Sequence, residues 1–412
     1  MKAQSKTPDL QPRSIIPPRM ARIKQSPSNA ANQRATELKA QGRDIISLAI
    51  GEPDFTTPDN VKQSVVEAMA RNQTRSTTVD GTTELKRAIC AKFRRENDLE
   101  YAPEQITVGT VGKQVIFNAL MATLDPGEEV IVPAPHWVSY TDMTLLGEGK
   151  PVVVPCPEST GFKLQPQDLE RAIKPKTKWF ILNSPCNPSG ATYNHGELKK
   201  LTNVLVRHPH VWVMTDDMYE HLRYDEHRFA TPAKVEPLLY DRTLTINGVS
   251  KAYAMTGWRI GYAGGPVELI KAMRKLQSQS TSNPSSISQA AAVAAFNGPQ
   301  NFIPERARIF MQRRDVAVDM LNDAPGLRCH NPEGAFYVFP NCAGVIGKKT
   351  PEGREILSDQ NFTIYQLESA GVAVVQGDAY GMSPYFRVSY ATSMKQLKEG
   401  MMRIQRACRA LK

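Results

Sequence analysis

Short runs of apolar and β-branched residues alternate through the middle of the chain with longer stretches whose apolar positions recur every three to four residues. EEVIVPAP, KPVVVP, KWFILNSP, VWVMTDD, RTLTING and RIGYAGG, all within residues 128–265, have the length and composition of strands. Pro166–Ile173 and Gly196–Arg207 between them carry the helical period. This alternation predicts an α/β fold with a largely parallel sheet covered on both faces and ligands gathered at the carboxyl ends of its strands. Upstream, two amphipathic helices are expected at Asn60–Arg71 and Thr83–Asn97, and QITVGTVGKQ reads as a strand entering a turn and then a helix from Lys113 to Leu124. Amides at such a helix start point outward at the positive end of the dipole, which makes a phosphate cradle.

The two ends of the chain read differently. Residues 1–20 are polar, with prolines at 8, 12, 17 and 18, and are expected to be a disordered tail. A helix with Ala31, Ala35 and Leu38 on one side should stop at Gly42 and lead into IISLAIGEPDF, a strand ending at Gly51, where the missing side chain lets backbone approach a ligand. Beyond residue 280, helices at Ile287–Phe296 and Ile303–Leu321 precede EGAFYVFP, VAVVQG, YFRVSYA and a last helix at Met394–Ala410. The expected division is a large domain over 61–300 and a smaller one built from 21–60 and 301–412.

Composition excludes more than it assigns. A hydrophobic share of 41% and a charged share of 22% fit an ordinary globular protein. The net charge of +10 is dispersed, with no basic run beyond local pairs, so no nucleic-acid function is expected. The six cysteines form neither a CxxC nor a Cys/His cluster, which argues against a zinc site or a disulfide framework and suits a reducing cytoplasm. No apolar run has the length of a membrane span, and no signal-peptide core is seen at the N-terminus.

The chemistry concentrates in Ser250–Gly261, SKAYAMTGWRIG, where Lys251 and Arg259 sit in a mostly apolar and aromatic stretch that predicts burial. A buried ammonium costs several kcal/mol unless it is paired or neutralised. An imine between Lys251 and an aldehyde removes that charge, and Arg259, always protonated, then calls for a permanent anion such as a phosphate. Aldehyde plus phosphate describes pyridoxal phosphate. Alternatively, both residues could stand on the surface of a loop and its following strand.

The segment NGVSKAYAMTGWRIGYA resembles the cofactor-lysine segment of the class I aminotransferases of fold type I, most closely the bacterial aspartate aminotransferases, some of which also accept prephenate. The resemblance spans Arg22–Cys408. It implies pyridoxal 5'-phosphate, a mostly parallel seven-stranded sheet in the large domain, a smaller α/β domain, and a homodimer with active sites at the interface. By the same resemblance Asp216 in TDDMYEH would keep the cofactor's pyridine nitrogen protonated, and Tyr219 and Asn187 would hydrogen-bond its phenolic oxygen. Gly112 and Lys113, beside the family's cofactor-phosphate motif, would contact the phosphate, Trp137 would stack on the ring, and Arg387 would grip the substrate α-carboxylate with its planar fork. Gly51 would offer backbone to that carboxylate, and Lys24 stands where prephenate-accepting relatives carry a lysine for the second one. Taken singly, Asp216 could equally cap a helix, Asn187 fill a turn and Trp137 belong to the core. The activity implied is transamination of aspartate or another dicarboxylic amino acid with a 2-oxo acid, ping-pong through pyridoxamine phosphate, with Lys251 as the general base.

Three positions depart from the family pattern. Ser76 replaces a tyrosine that reaches the cofactor phosphate across the dimer interface, Val111 precedes Gly112 where relatives often read Gly-Gly, and His136 replaces the tyrosine before Trp137. His136 would add a titratable group near the ring. These changes keep open a second reading: a pyridoxal-phosphate enzyme of a specialised pathway, using the same electron sink for elimination, replacement or carbon–carbon bond formation on a larger substrate. A catalytically dead binding protein is argued against by the joint presence of Lys251, Asp216, Tyr219, Asn187, Arg259 and Arg387.

Overall fold

The computed structural model describes residues 14–412. The twelve strands among them are β1 (Ile46–Ser47), β2 (Ile106–Gly109), β3 (Glu129–Ala134), β4 (Lys150–Pro155), β5 (Thr177–Asn183), β6 (Trp212–Asp216), β7 (Thr243–Gly248), β8 (Gly261–Gly264), β9 (Tyr337–Val338), β10 (Val372–Ala373), β11 (Val375–Gln376) and β12 (Phe386–Ser389). Seven of them form one sheet in the order β2-β8-β7-β6-β5-β3-β4. Pairing is parallel from β7 through β6, β5 and β3 to β4, while β8 runs antiparallel to both β7 and β2. The reversal has a local cause. The twelve residues between β7 and β8 hold turns and a 3₁₀ turn at Thr256–Trp258 but no α-helix, whereas a parallel return is usually carried by a crossover helix.

Strand direction places the site. β2, β3, β5, β6 and β7 all point the same way, so the residues that follow them meet at one edge: Gly112 after β2, Trp137 after β3, Asn187 after β5, Asp216 at the end of β6 and Lys251 after β7. Arg259 precedes the reversed β8 and therefore joins the same edge. The central strands are buried on both faces, β7 along its whole length, as expected for a sheet between two helical layers.

Expected helices appear at Pro27–Ala40, Asp59–Ala70, Val111–Thr123, Pro166–Ala172, His195–Val206, Ser286–Asn297, Phe302–Asn322 and Met394–Ala410. Thr83–Lys92 continues to Asn97 as one wider turn, and Val267–Ser278 adds a helix not among those expected. Gly42 ends the first helix at φ +84°, the left-handed backbone that glycine adopts without penalty. The anticipated tail lies partly outside the described residues. Its end forms a 3₁₀ turn at Pro18–Arg22, with Arg22 3.9 Å from Glu148.

The remaining strands form two small sheets, β11-β12-β9 and the parallel pair β1-β10. They enclose an apolar core with Phe310, Leu321, Phe362, Leu397 and Ile404, which also takes in Tyr219 and Leu222 from beyond β6. The smaller region thus packs directly on the segment that follows Asp216. No helix among the described residues is long and apolar enough to cross a membrane.

Candidate functional site

The strand ends open onto a cavity of about 230 Å³ whose wall includes Gly51, Gly112, Lys113, Trp137, Asn187, Asp216, Tyr219, Lys251, Arg259 and Arg387. Ten of the thirteen candidate residues therefore meet in one place. At its centre Lys251 Nζ donates to the Gly51 carbonyl at 2.6 Å and lies 5.7 Å from the Tyr219 ring centroid. Desolvation, and then the positive charge of Arg387, pull the Lys251 ammonium down to about 8.

Asp216 is buried, which pushes its carboxyl above the usual range. Its Oδ2 accepts the Tyr140 hydroxyl at 2.6 Å, whereas Oδ1 has only the Met218 amide at 3.3 Å. One carboxylate oxygen is thus fixed from behind and the other left for the cavity. The Tyr219 hydroxyl meets the Tyr337 hydroxyl at 2.8 Å. Arg387, 2% exposed, donates through Nη1 to Asn187 Oδ1 at 3.0 Å and through Nη2 to the Ala49 carbonyl. Its guanidinium lies 4.5 Å from the Tyr337 ring, and its buried Nε has no partner. An unsatisfied donor on a buried cation is costly unless a ligand meets it.

Opposite Arg387 the wall is built for an anion. Val111 takes φ +73° ahead of helical Gly112, and such a left-handed residue before a helical one turns successive amides into one concavity at the start of the helix Val111–Thr123. Gly112 leaves room there, since a Cβ would meet Met218 Cε at 2.8 Å. Ser250 Oγ, buried without a partner, and Arg259 share the wall. Lys113 Nζ sits 4.9 Å from the Trp137 ring, and desolvation followed by the Arg259 charge lowers its ammonium below the ordinary lysine value.

Four expectations need correcting or relocating. Arg259 is exposed at the rim, not buried, because its left-handed backbone (φ +58°) turns it out of the strand. Lys24 is exposed and absent from the cavity wall. His136 faces away, into a separate small space of about 20 Å³ shared with Tyr140 and Cys186, where desolvation lowers its pKa. Within one chain Ser76 lines another cavity of about 240 Å³, with Arg75, Thr82 and Ser286.

The model of the family "Aminotransferase class I and II" matches residues 43–404. The chain belongs to the class I and II aminotransferases. A probable aspartate/prephenate aminotransferase from Rhizobium leguminosarum bv. phaseoli is 59% identical over 393 residues, covering 95% of this chain and 98% of that protein. The aspartate/prephenate aminotransferase of Cereibacter sphaeroides is also 59% identical, again over 95% of this chain and 98% of the other. Among solved structures, aspartate aminotransferase from Rhizobium meliloti matches with TM-score 0.94 and 56% identity over 96% of this chain and 99% of that one. The Thermus thermophilus aspartate aminotransferase with maleate matches with TM-score 0.89 and 39% identity over 95% and 99%.

In this aminotransferase several residues in or behind the cavity wall carry no motif of their own. Tyr140 stands one helical turn after Trp137, a spacing that puts both on one side of their helix start, and the two rings meet edge to face at 5.3 Å. Ser250 neighbours Lys251 in the sequence. Tyr337 gives no local signal, because it comes from a strand about 120 positions after Tyr219 and reaches the cavity only through the docking of the smaller region.

Proposed function

We propose that this aminotransferase uses pyridoxal 5'-phosphate to exchange the amino group of aspartate, or another dicarboxylic amino acid, with a 2-oxo acid. The carrying observation is Lys251: an amine brought down to about 8, set between a carboxylate with one free oxygen and a guanidinium with an unmatched donor. Bound pyridoxal phosphate supplies an electron sink that stabilises negative charge at the α-carbon of the amino acid.

The protein's residues take the remaining tasks. Lys251 Nζ would be the attachment point for the aldehyde and, once free, would accept the proton from the substrate α-carbon and return it two bonds away, on the far side of the nitrogen. Asp216 Oδ1 is the anion for a protonated ring nitrogen, and the hydroxyl of Tyr140 keeps the carboxylate turned to it. Tyr219 and Asn187 donate to the ring oxygen, while Trp137 covers the ring face. The amides of Gly112 and Lys113, with Ser250 Oγ and Arg259, form the phosphate seat. Arg387 takes the α-carboxylate, aided by the backbone at Gly51. For the second carboxylate, Lys113 in the wall offers a cation, whereas Lys24 outside it does not. Relatives named for aspartate and prephenate favour this reading over elimination or bond formation.

We read the chain as two domains, 61–300 and the combination of 21–60 with 301–412, assembled as a homodimer in which Ser76 of one copy approaches the other copy's phosphate seat. The decisive experiment adds single L-amino acids to the cofactor-loaded protein without an acceptor. Aspartate should release one equivalent of oxo acid per cofactor, and Lys251→Ala should release none. Absence of oxo acid from both aspartate and glutamate would remove transamination of dicarboxylic substrates.

A further inference from the structure

Asn183 ends β5 and pairs in register with Asp216 at the end of β6. Its carboxamide is used at both ends. Nδ2 donates to the Asp216 carbonyl at 2.8 Å, and Oδ1 accepts the Asn187 amide at 2.8 Å. Asn187 then accepts Arg387 Nη1 through its own Oδ1 at 3.0 Å. Three hydrogen bonds in series thus connect the residue that faces the cofactor ring with the residue that faces the substrate carboxylate, across the seam between the two regions. Asn183 lines both the large cavity and the smaller space that holds His136 and Tyr140.

We propose that Asn183 is a positioning residue, whose carboxamide sets the separation between Asp216 and the Asn187–Arg387 pair. The proposal rests on the dicarboxylate reading above for its first readout. Both partners are backbone groups, a carbonyl and an amide, and among side chains of similar size only asparagine and a protonated aspartate present a donor and an acceptor on two separate atoms. A carboxylic acid donates its O–H to the Asp216 carbonyl and accepts the Asn187 N–H through its C=O; a carboxylate has lost the donor and repels that carbonyl. Groups that can titrate on the side of the smaller space are Tyr140, His136, Cys186 and Tyr193. On the side of the large cavity they are Asp216, Tyr219, Tyr337, Lys251 and Lys113, with the charges of Arg259 and Arg387.

The test compares Asn183→Ala and Asn183→Asp with the wild type, all loaded with pyridoxal phosphate. Succinate, which has no amine to transfer, is titrated calorimetrically at a series of pH values, and cofactor dissociation is followed by absorbance in the same buffers. Loss of a hydrogen bond that orients a charged partner predicts about tenfold weaker succinate binding by Asn183→Ala at every pH. Asn183→Asp should bind like the wild type in acid and fall toward the alanine variant as the introduced acid ionises. A purely structural role would lower thermal stability without giving the aspartate variant a new pH dependence. Equal affinities for all three proteins, or equal weakening of both variants at every pH, overturns the proposal. If wild type itself fails to bind succinate, the dicarboxylate reading falls instead, and cofactor dissociation decides Asn183 by the same two patterns.

Discussion

At the scale of single residues, the site works by placing charged groups where water cannot fully serve them. Lys251 is the clearest case. An ordinary lysine near 10.5 is charged at neutral pH and cannot attack an aldehyde, whereas one at about 8 has a usable neutral fraction. In the cofactor-free protein, the rate of pyridoxal phosphate capture should rise about tenfold per pH unit below about 8 and level off above it, read by stopped-flow absorbance. The sign for stability follows from the same shift: between about 8 and 10.5 the unfolded chain holds a proton that the folded chain has released, so this group's contribution rises with pH. Val111 is a second case. A β-branched residue in the left-handed region costs about 1–2 kcal/mol, and glycine removes that cost while returning part of it as unfolded-chain entropy. Val111→Gly should therefore raise the melting temperature by about 1 °C while leaving the amide concavity in place.

Elements matter through how closely two of them approach. The start of β8 lies against the start of the helix Val111–Thr123, and a Cβ built on Gly261 would stand 2.1 Å from the Gly112 nitrogen and 2.3 Å from the Val111 carbonyl carbon. Both are backbone atoms, so nothing flexible can yield. Gly261→Ala should cost about 2–3 kcal/mol in thermal or urea unfolding and weaken cofactor affinity more than tenfold, because the amides it displaces are those of the phosphate seat. Gly257→Ala, with no atom within 4 Å of the added carbon, should leave stability unchanged and serves as the control. The element pattern itself was legible in the chain. Runs such as KWFILNSP and VWVMTDD are short, β-branched and bounded by turn residues, and they became β5 and β6 with ends near those expected. The direction of β8 was not legible, because RIGYAGG has the composition of the parallel strands before it, and what differs is a connection without a crossover helix.

For the whole molecule, the two regions are joined by charged contacts as well as by apolar packing. Lys163 lies 3.2 Å from Glu197 and 2.9 Å from Glu333, which fastens the loop ahead of β9 to the large sheet. Arg313 grips Asp54 with two bonds of 2.7 and 2.9 Å and thereby ties the long helix Phe302–Asn322 to the loop that begins at Gly51. A homodimer predicts light scattering at twice the 45.7 kDa of one chain, and a mass of one chain at working concentration would remove the shared-site assembly.

Local sequence determined the strand and helix periods, the lysine set among aromatic residues, and the chemical types that an aldehyde phosphate needs, because these depend on residue type and near-neighbour spacing. Lys251 could be named on that basis, while Asp216, Asn187 and Arg387 took the family resemblance as well. Which groups face one another was decided by tertiary structure alone. His136 adjoins Trp137 in sequence yet lines a different, smaller space. Tyr140 and Asn183 meet Asp216 only because β3, β5 and β6 end at a common edge, and Arg387 reaches Asn187 only because the smaller region docks there. Hydrogen bonds across such distances in the chain depend on the geometry of the packed sheet, and no local pattern carries that information.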